Sequence, residues 1–215
     1  MNPSRTLVRL EQRALYRLKA LRDTFDISKG HLPDREAKAA ICSVVVDALN
    51  TWNNFSRAYY LSSCLGAYLP SHGFITTSTT FSSFNDSIGD AIRFHKPWIT
   101  PLASGEWHRK DEPAWHDPNI LLGCCTNIGA SNTSHMSAAL SVGTRVFIDL
   151  VVFRNYIAHK NKRSQVAAQN LAPHYLIPAT LRPFEILLQT PLRAFDPLLK
   201  VWLYEMEIVV SFLCR

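Results

Sequence analysis

The sequence contains no Cys-x-x-Cys pair, and its five cysteines are an odd number that cannot form a complete set of disulfides. Cys124 and Cys125 are adjacent, and neighbouring residues rarely reach the geometry of a disulfide bond. A zinc site drawn from those two thiols with His108 and His116 would match no familiar ligand spacing. We therefore predict reduced thiols in a cytoplasmic protein, with no bound metal and no cofactor.

Long apolar runs are also missing, because no stretch approaches the roughly 20 consecutive apolar residues that a membrane-spanning helix needs. Asp149 interrupts the apolar run from Val146 to Phe153, and Glu205 and Glu207 interrupt the run near the C-terminus. The N-terminal stretch holds no secretory apolar segment. These absences predict a protein that does not enter a membrane.

The composition is that of an ordinary globular protein, with 47% hydrophobic and 19% charged residues. The length suits a single domain over residues 1–215, in which residues 71–137 form an insertion or extended loop region. The formal net charge of +6 favours polyanionic partners, chiefly nucleic acid, but excess charge alone does not establish such a partner.

Two helices are predicted in the N-terminal third of the chain. Apolar residues recur with helical spacing over residues 4–24, and again over about 35–69. Gly30 and Pro33 separate the two patterns, and Pro70 ends the second.

Arginines recur at every fourth position of the first helix and form a basic stripe that drifts slowly around its surface. The plainer interpretation is a solvated helix face. The sharper interpretation is a rail that binds the phosphate backbone of a nucleic acid. The residues of this arginine stripe are Arg5, Arg9, Arg13 and Arg17.

Proline, aromatic and polar residues dominate the middle of the chain. Within residues 71–137 we predict one helix, 80–94, followed by a long Pro-rich and largely irregular stretch. A helix over about 137–158 follows, because its long apolar context outweighs the β propensity of VFIDLVVF. A closing helix begins at Pro197. The fold class is therefore predicted to be all-α, with strand signals too scattered to make a sheet.

The sequence FRNYIAHKNK, residues 153–162, turns an apolar run abruptly into a basic and polar one. Five residues advance about 500° around a helix, so Arg154 and His159 would leave it about 140° apart. They reach one pocket only if the helix ends near Ala158 and the chain bends, and the cations that follow suit a helix C-terminus. The spacing therefore predicts that the two residues can form a site only at a helix end.

FRNYIAHKN resembles the R-x4-H signature of HEPN domains, in which an arginine near the end of a buried helix precedes a histidine. The sequence ALNTWNNFSRAYYLSSCLGAY, residues 48–68, also resembles the second helix of some HEPN subfamilies. The resemblance covers the N-terminal helices and residues 138–163, and it leaves out residues 71–137. It implies a HEPN-like helical bundle that forms a homodimer, with two R-x4-H motifs facing each other across the interface.

Many HEPN proteins are metal-independent endoribonucleases of toxin–antitoxin or antiviral defence systems. The resemblance thus implies an RNA substrate, and an antitoxin or defence-system protein as partner. RNA supplies its own nucleophile, the 2′-OH, so the chemistry needs proton transfer by His159 and phosphate binding by Arg154. Asn155 would orient the phosphate or a histidine. The products would be a 2′,3′-cyclic phosphate and a 5′-hydroxyl. Predicted substrate-binding residues are Arg57, Lys160, Lys162 and Arg163.

Other interpretations of the same residues remain open. Arg154 and His159 also suit a capped helix end without chemistry, and Arg57 equally suits a salt bridge to Asp47, Glu205 or Glu207. Two alternative functions follow. One is a non-catalytic HEPN scaffold that binds a partner protein or nucleotide, and the other is a helical regulator that binds DNA through the arginine stripe.

Overall fold

The structure, a computed structural model, describes residues 1–31, 34–142 and 145–215. In this part of the chain there are nine α-helices and one two-stranded antiparallel sheet, which confirms the mostly helical class. The sheet pairs Tyr68 with Phe74 and Leu69 with Gly73. In chain order the elements are α1 Leu7–His31, α2 Asp34–Cys64, β1 Tyr68–Leu69, β2 Gly73–Phe74, α3 Phe84–His95, α4 Pro118–Asn127, α5 Thr133–Leu140, α6 Val146–His159, α7 Lys162–Gln169, α8 Pro183–Leu188 and α9 Leu198–Cys214.

The first two helices differ from their predicted lengths at their C-terminal ends. α1 continues through Gly30, and Pro33 lies outside the described residues. α2 ends at Cys64 rather than near residue 69, because Gly66 adopts a left-handed backbone with φ of 69°. The N–H of Ala67 then turns back to the carbonyl of Ser62 at 3.0 Å, as at many helix C-termini.

The middle of the chain holds more helix than the sequence predicted. α3 corresponds to the helix predicted over 80–94 but begins at Phe84, because the Ser83 hydroxyl caps it by accepting a hydrogen bond from the Asp86 N–H at 3.1 Å. α4 was not predicted; the Asp117 carboxylate caps it at the Asn119 N–H, 2.9 Å away, and Pro118 is its first residue. The prediction of one helix over 137–158 was wrong, since α5 and α6 share that region.

The chain divides into two compact units, and α1, α2 and α9 contribute residues to both. The prediction of a single domain over residues 1–215 stays a prediction. Unit 1 comprises Met1–Ala14, Trp52–Gly143 and Val209–Arg215, and unit 2 comprises Leu15–Thr51 and Thr144–Ile208.

The core of unit 1 is organised around aromatic residues of α2. Trp52 and Phe55 stack with their ring centroids 5.5 Å apart. Tyr59 is fully buried, and its hydroxyl donates to the Leu213 carbonyl at 3.1 Å and accepts from the Asn132 side-chain amide at 2.8 Å. These bonds satisfy polar groups that would otherwise be costly to bury.

The core of unit 2 surrounds the inner face of α6. Phe153 and Tyr175 each meet the Trp202 ring edge-on, with centroids 5.4 and 5.6 Å away. Asp149, which interrupts the apolar run in the sequence, is completely buried and accepts a hydrogen bond from the Tyr175 hydroxyl at 2.6 Å. Burial, and then this hydrogen bond, raise the pKa of Tyr175, so its hydroxyl keeps the proton that it donates. α6 is thus held by a polar anchor as well as by packing.

No helix in the described part of the chain has both the length and the apolar character needed to cross a membrane.

Replacing Phe153 with alanine empties part of the core of unit 2, and we expect the free energy of unfolding to fall by about 3–4 kcal/mol. Phe195 is fully exposed in the same unit, so Phe195→Ala is the matched control and should change the free energy by less than about 0.5 kcal/mol. Urea denaturation followed by circular dichroism measures both. Equal losses in the two variants would contradict this description of the core.

Candidate functional site

The R-x4-H motif lies at the corner where α6 ends and α7 begins. α6 ends at His159, one residue beyond the predicted end. Lys160 then adopts a left-handed backbone with φ of 45°, and its N–H donates to the Tyr156 carbonyl at 2.8 Å. Asn161 caps α7 by accepting a hydrogen bond from the Ser164 N–H at 2.8 Å. A single residue in an unusual conformation therefore produces the bend that the motif required.

A groove of about 360 Å³ runs between α6 and α7. Asn155 and His159 are four residues apart, so they lie on the same face of α6 and both line the groove. Arg163, the second residue of α7, also lines it. The full lining is Val152, Asn155, His159, Asn161, Arg163, Ser164 and Ala167. It contains an imidazole, a guanidinium, two amides and a hydroxyl but no carboxylate, which suits a negatively charged ligand.

Arg154 does not belong to the lining of this groove. Because α6 remains helical through His159, the two side chains leave the helix about 140° apart, as their spacing required. Arg154 is exposed and its Nη1 donates to the Asn155 Oδ1 at 3.3 Å. One chain therefore brings Asn155 and His159 together and places Arg154 beside the groove, linked to it through Asn155.

Two of the predicted substrate-binding lysines stand at the bend rather than in the groove. Lys160 and Lys162 are both exposed, at the end of α6 and the start of α7. Burial raises the pKa of the Cys42 thiol on α2, and the nearby positive charge of Lys160 partly offsets that rise. The Cys42 side chain therefore remains a protonated thiol near neutral pH. Because Lys160 and Lys162 are exposed, their ammonium groups are accessible to a ligand.

Arg57 is placed in unit 1, where it forms a two-pronged ion pair with Glu112. Arg57 Nε lies 2.6 Å from Oε2 and Nη2 lies 2.9 Å from Oε1 of the Glu112 carboxylate. The Trp115 indole N–H donates to the same carboxylate at 2.8 Å, and only 7% of the Glu112 side chain is exposed. Arg57 therefore forms a salt bridge, as one of the two interpretations of the sequence expected, but its partner is Glu112 rather than Asp47, Glu205 or Glu207. Its role as a phosphate contact stays a prediction.

A second cavity of unit 2, of about 370 Å³, lies beside Tyr156 of the same motif. Its two cations are already neutralised, because Lys38 pairs with Asp34 at 2.5 Å and Arg182 pairs with Glu185 at 2.5 Å. This balance of charge makes the cavity less suited to a polyanion than the groove between α6 and α7.

Arg9, Arg13 and Arg17 of the arginine stripe are exposed on α1, and Arg5 is exposed just before the helix begins. Within the described residues none of the four guanidiniums has a carboxylate within ion-pair distance. The opposite face of α1 is buried through Leu7, Leu10, Ala14 and Leu18. The stripe therefore remains a candidate surface for a phosphate backbone.

All five cysteines are free thiols. Cys124 is buried, and this burial is the main reason that its pKa rises to about 12. Across residues 1–31, 34–142 and 145–215, no group of three or more His, Cys, Asp or Glu side chains is placed to hold a metal ion.

The sequence did not indicate every residue of the groove. Asn161, Ser164 and Ala167 were missed because α7 was not predicted, and Val152 of α6 was missed because an apolar side chain gives no signal of a polar groove. Asn161 is the one signal that could have indicated this short helix, because asparagine is a preferred N-cap residue.

A scan against protein-family models, a search of curated proteins and a search of solved structures each find no match for this chain. The resemblance to HEPN domains therefore rests on the R-x4-H motif and on residues 48–68.

Replacing Arg57 with alanine leaves the Glu112 carboxylate enclosed without its cation, and we expect the free energy of unfolding to fall by about 2–3 kcal/mol. The double variant Arg57→Ala with Glu112→Gln should recover part of this loss, because the buried charge is then removed as well. Urea denaturation measures both, with Arg35→Ala on the exposed start of α2 as control. Unchanged stability in Arg57→Ala would show that the ion pair is not needed by the fold.

Proposed function

We propose that this protein is a metal-independent endoribonuclease that acts as a homodimer through the R-x4-H motif. The observation that carries the proposal is the groove between α6 and α7, where His159 and Asn155 meet Arg163 without an opposing carboxylate. Arg154 extends this positively charged surface from the edge, through its hydrogen bond to Asn155. A phosphodiester fits such a site because its charge is matched and a proton-transfer group stands beside it.

The chemistry divides among three side chains. His159 takes the proton of the 2′-OH or gives one to the departing 5′-oxygen, since an imidazole can act as a general base or as a general acid. Arg154 presents a planar pair of N–H donors to the phosphate oxygens as negative charge accumulates on them. The Asn155 amide oxygen already accepts from Arg154, so its amide N–H is free to donate to a phosphate oxygen and to set the guanidinium in place.

A homodimer supplies what one chain lacks. Cleavage by 2′-OH attack needs a base and an acid, and each groove contains one histidine. A two-fold interface places a second histidine opposite the first. Ile148, which is 61% exposed, lies on the same face of α6 as Val152 and His159, and Val166 of α7 is 44% exposed. These apolar side chains beside a polar groove are what a self-complementary interface would bury.

The biological setting follows from the activity. An enzyme that cuts RNA without a bound cofactor harms its own cell unless it is restrained. We propose a role in a toxin–antitoxin or antiviral defence system, with an antitoxin or defence-system protein as the restraining partner.

The cleavage test uses total RNA in the presence of EDTA. We expect the wild-type protein to produce fragments that carry 2′,3′-cyclic phosphate and 5′-hydroxyl ends. His159→Ala should lower the rate by about 10²–10⁴-fold through loss of proton transfer. Arg154→Ala should lower it by about 10²-fold through loss of charge stabilisation. End-group analysis and gel electrophoresis of the fragments measure both effects.

Matched controls remove exposed residues of the same kind in unit 2. His174→Ala and Arg35→Ala should cleave like the wild type, since both side chains are exposed and neither lies in the groove. Absence of cleavage by freshly prepared wild-type protein would instead support a non-catalytic scaffold. Duplex DNA binding that depends on the arginine stripe but not on His159 would support the DNA-binding regulator.

The dimer test places a charge on the proposed interface. Ile148→Glu should convert a dimer to a monomer and remove cleavage, because the carboxylate would be buried against its own copy. Leu192→Glu alters a residue of unit 2 that is 65% exposed, and it should leave both properties unchanged. Sedimentation equilibrium measures the mass. A wild-type monomer that cleaves RNA would contradict the composite site.

A further inference from the structure

Two aromatic side chains near the end of α3 are partly or largely exposed: Phe94 in the last turn of α3, and Trp98 in the irregular segment that follows it. Trp98 is 73% exposed and Phe94 is 47% exposed. By contrast, Trp52, Trp115 and Trp202 are at most 2% exposed. The Trp98 indole is thus largely open to solvent, and its ring is accessible to a ligand in a way that the three buried indoles are not.

The segment has a definite shape even though it has no regular secondary structure between residues 96 and 108. The Leu102 N–H donates to the Glu106 carbonyl and the Gly105 N–H to the Leu102 carbonyl, both at 2.8 Å. The Asn85 side chain on α3 holds the Gly105 carbonyl at 3.0 Å. These bonds close the turn that follows Trp98 and attach it to α3.

Two further contacts attach the ends of the segment. The Trp107 indole lies so close to Gly89 of α3 that any Cβ at that position would collide with it. The Lys96 ammonium donates to the Asp111 carbonyl at 3.1 Å. Trp98 is therefore presented from an anchored frame, which lowers the entropy lost when a ligand binds.

Basic residues are frequent in the same stretch of the chain. Residues 93–110 contain four lysines and arginines and one glutamate, together with His95 and His108. The Arg93 guanidinium lies over the Trp107 ring, 5.6 Å from its centroid, so a cation and an aromatic face are already paired there. Lys110 is exposed and is not part of any ion pair in the described chain.

We propose that this aromatic–basic segment, residues 93–110, binds single-stranded RNA, with bases stacked on Trp98 and Phe94 and phosphates held by Arg93 and Lys110. Unpaired bases offer flat faces to exposed rings, and the adjacent cations match the backbone. A duplex encloses its bases and would use only the cations. The inference rests on the proposed function for the choice of RNA over DNA, and it gives residues 71–137 a substrate-binding role.

The test measures binding separately from cleavage, in EDTA and on the His159→Ala background so that the RNA stays intact. Oligouridylate should quench tryptophan emission, and fluorescence anisotropy of a labelled strand gives the affinity. Trp98→Ala should weaken binding about 10- to 100-fold, whereas Trp98→Phe should restore most of the affinity without the quenching. Arg93→Gln with Lys110→Gln should lower the dependence of affinity on salt concentration.

Phe195→Ala is the control for loss of an exposed ring and should bind like the parent. Because Trp98 is exposed, thermal denaturation should show that its variants fold normally. Undiminished binding by Trp98→Ala, tighter binding to duplex than to single strands, or no binding at all would overturn the inference. Quenching without any cleavage by the unmutated protein would leave it standing and count against the nuclease. Cleavage by the unmutated protein together with undiminished RNA binding by Trp98→Ala would support the nuclease and overturn the binding role of Trp98.

Discussion

The buried carboxylate of Asp149 is the constraint on which the arrangement of unit 2 depends. A carboxylate that is removed from water needs donors, and Asp149 meets the Tyr175 hydroxyl at 2.6 Å and the Arg145 Nε at 3.4 Å. Both donors reach the same oxygen, Oδ2, and these contacts favour the rotation of α6 that the structure has. That rotation puts Phe153 in the core and leaves Asn155 and His159 on the outer face, where the groove with α7 forms. Site and core are two sides of the same helix, oriented by one polar residue.

Much of the helical architecture follows from local sequence signals. Asp34 begins α2 and Pro197 precedes α9, as helix-start rules require. The signals failed where the helices are short, because eight residues of α7 carry too little periodicity to reveal a helix. They failed again at α2, where a left-handed glycine ended the helix ahead of the proline that was expected to end it. Local preference predicts that helices exist, and tertiary contacts decide where they end.

Part of the candidate site could be predicted from the sequence, because helix geometry alone determines which residues share a face. Helical spacing alone separates Arg154 from His159 and joins His159 to Asn155, and the structure has that arrangement. The ion pair of Arg57 could not be predicted, because its partner Glu112 lies 55 residues away and no local sequence pattern indicates the pair. The exposure of Trp98 could not be predicted either, since the sequence does not distinguish an exposed tryptophan from a buried one. Pairings over long distances and burial are properties of the fold, and only coordinates supply them.

Lys160 occupies a position that glycine would fill with less strain. A side chain at a φ of 45° costs about 1–2 kcal/mol that glycine would avoid. The chain forgoes that stability and keeps an ammonium group at the bend between α6 and α7. Stability alone would favour glycine here, so the same residue that costs the fold stability also gives the bend its positive charge.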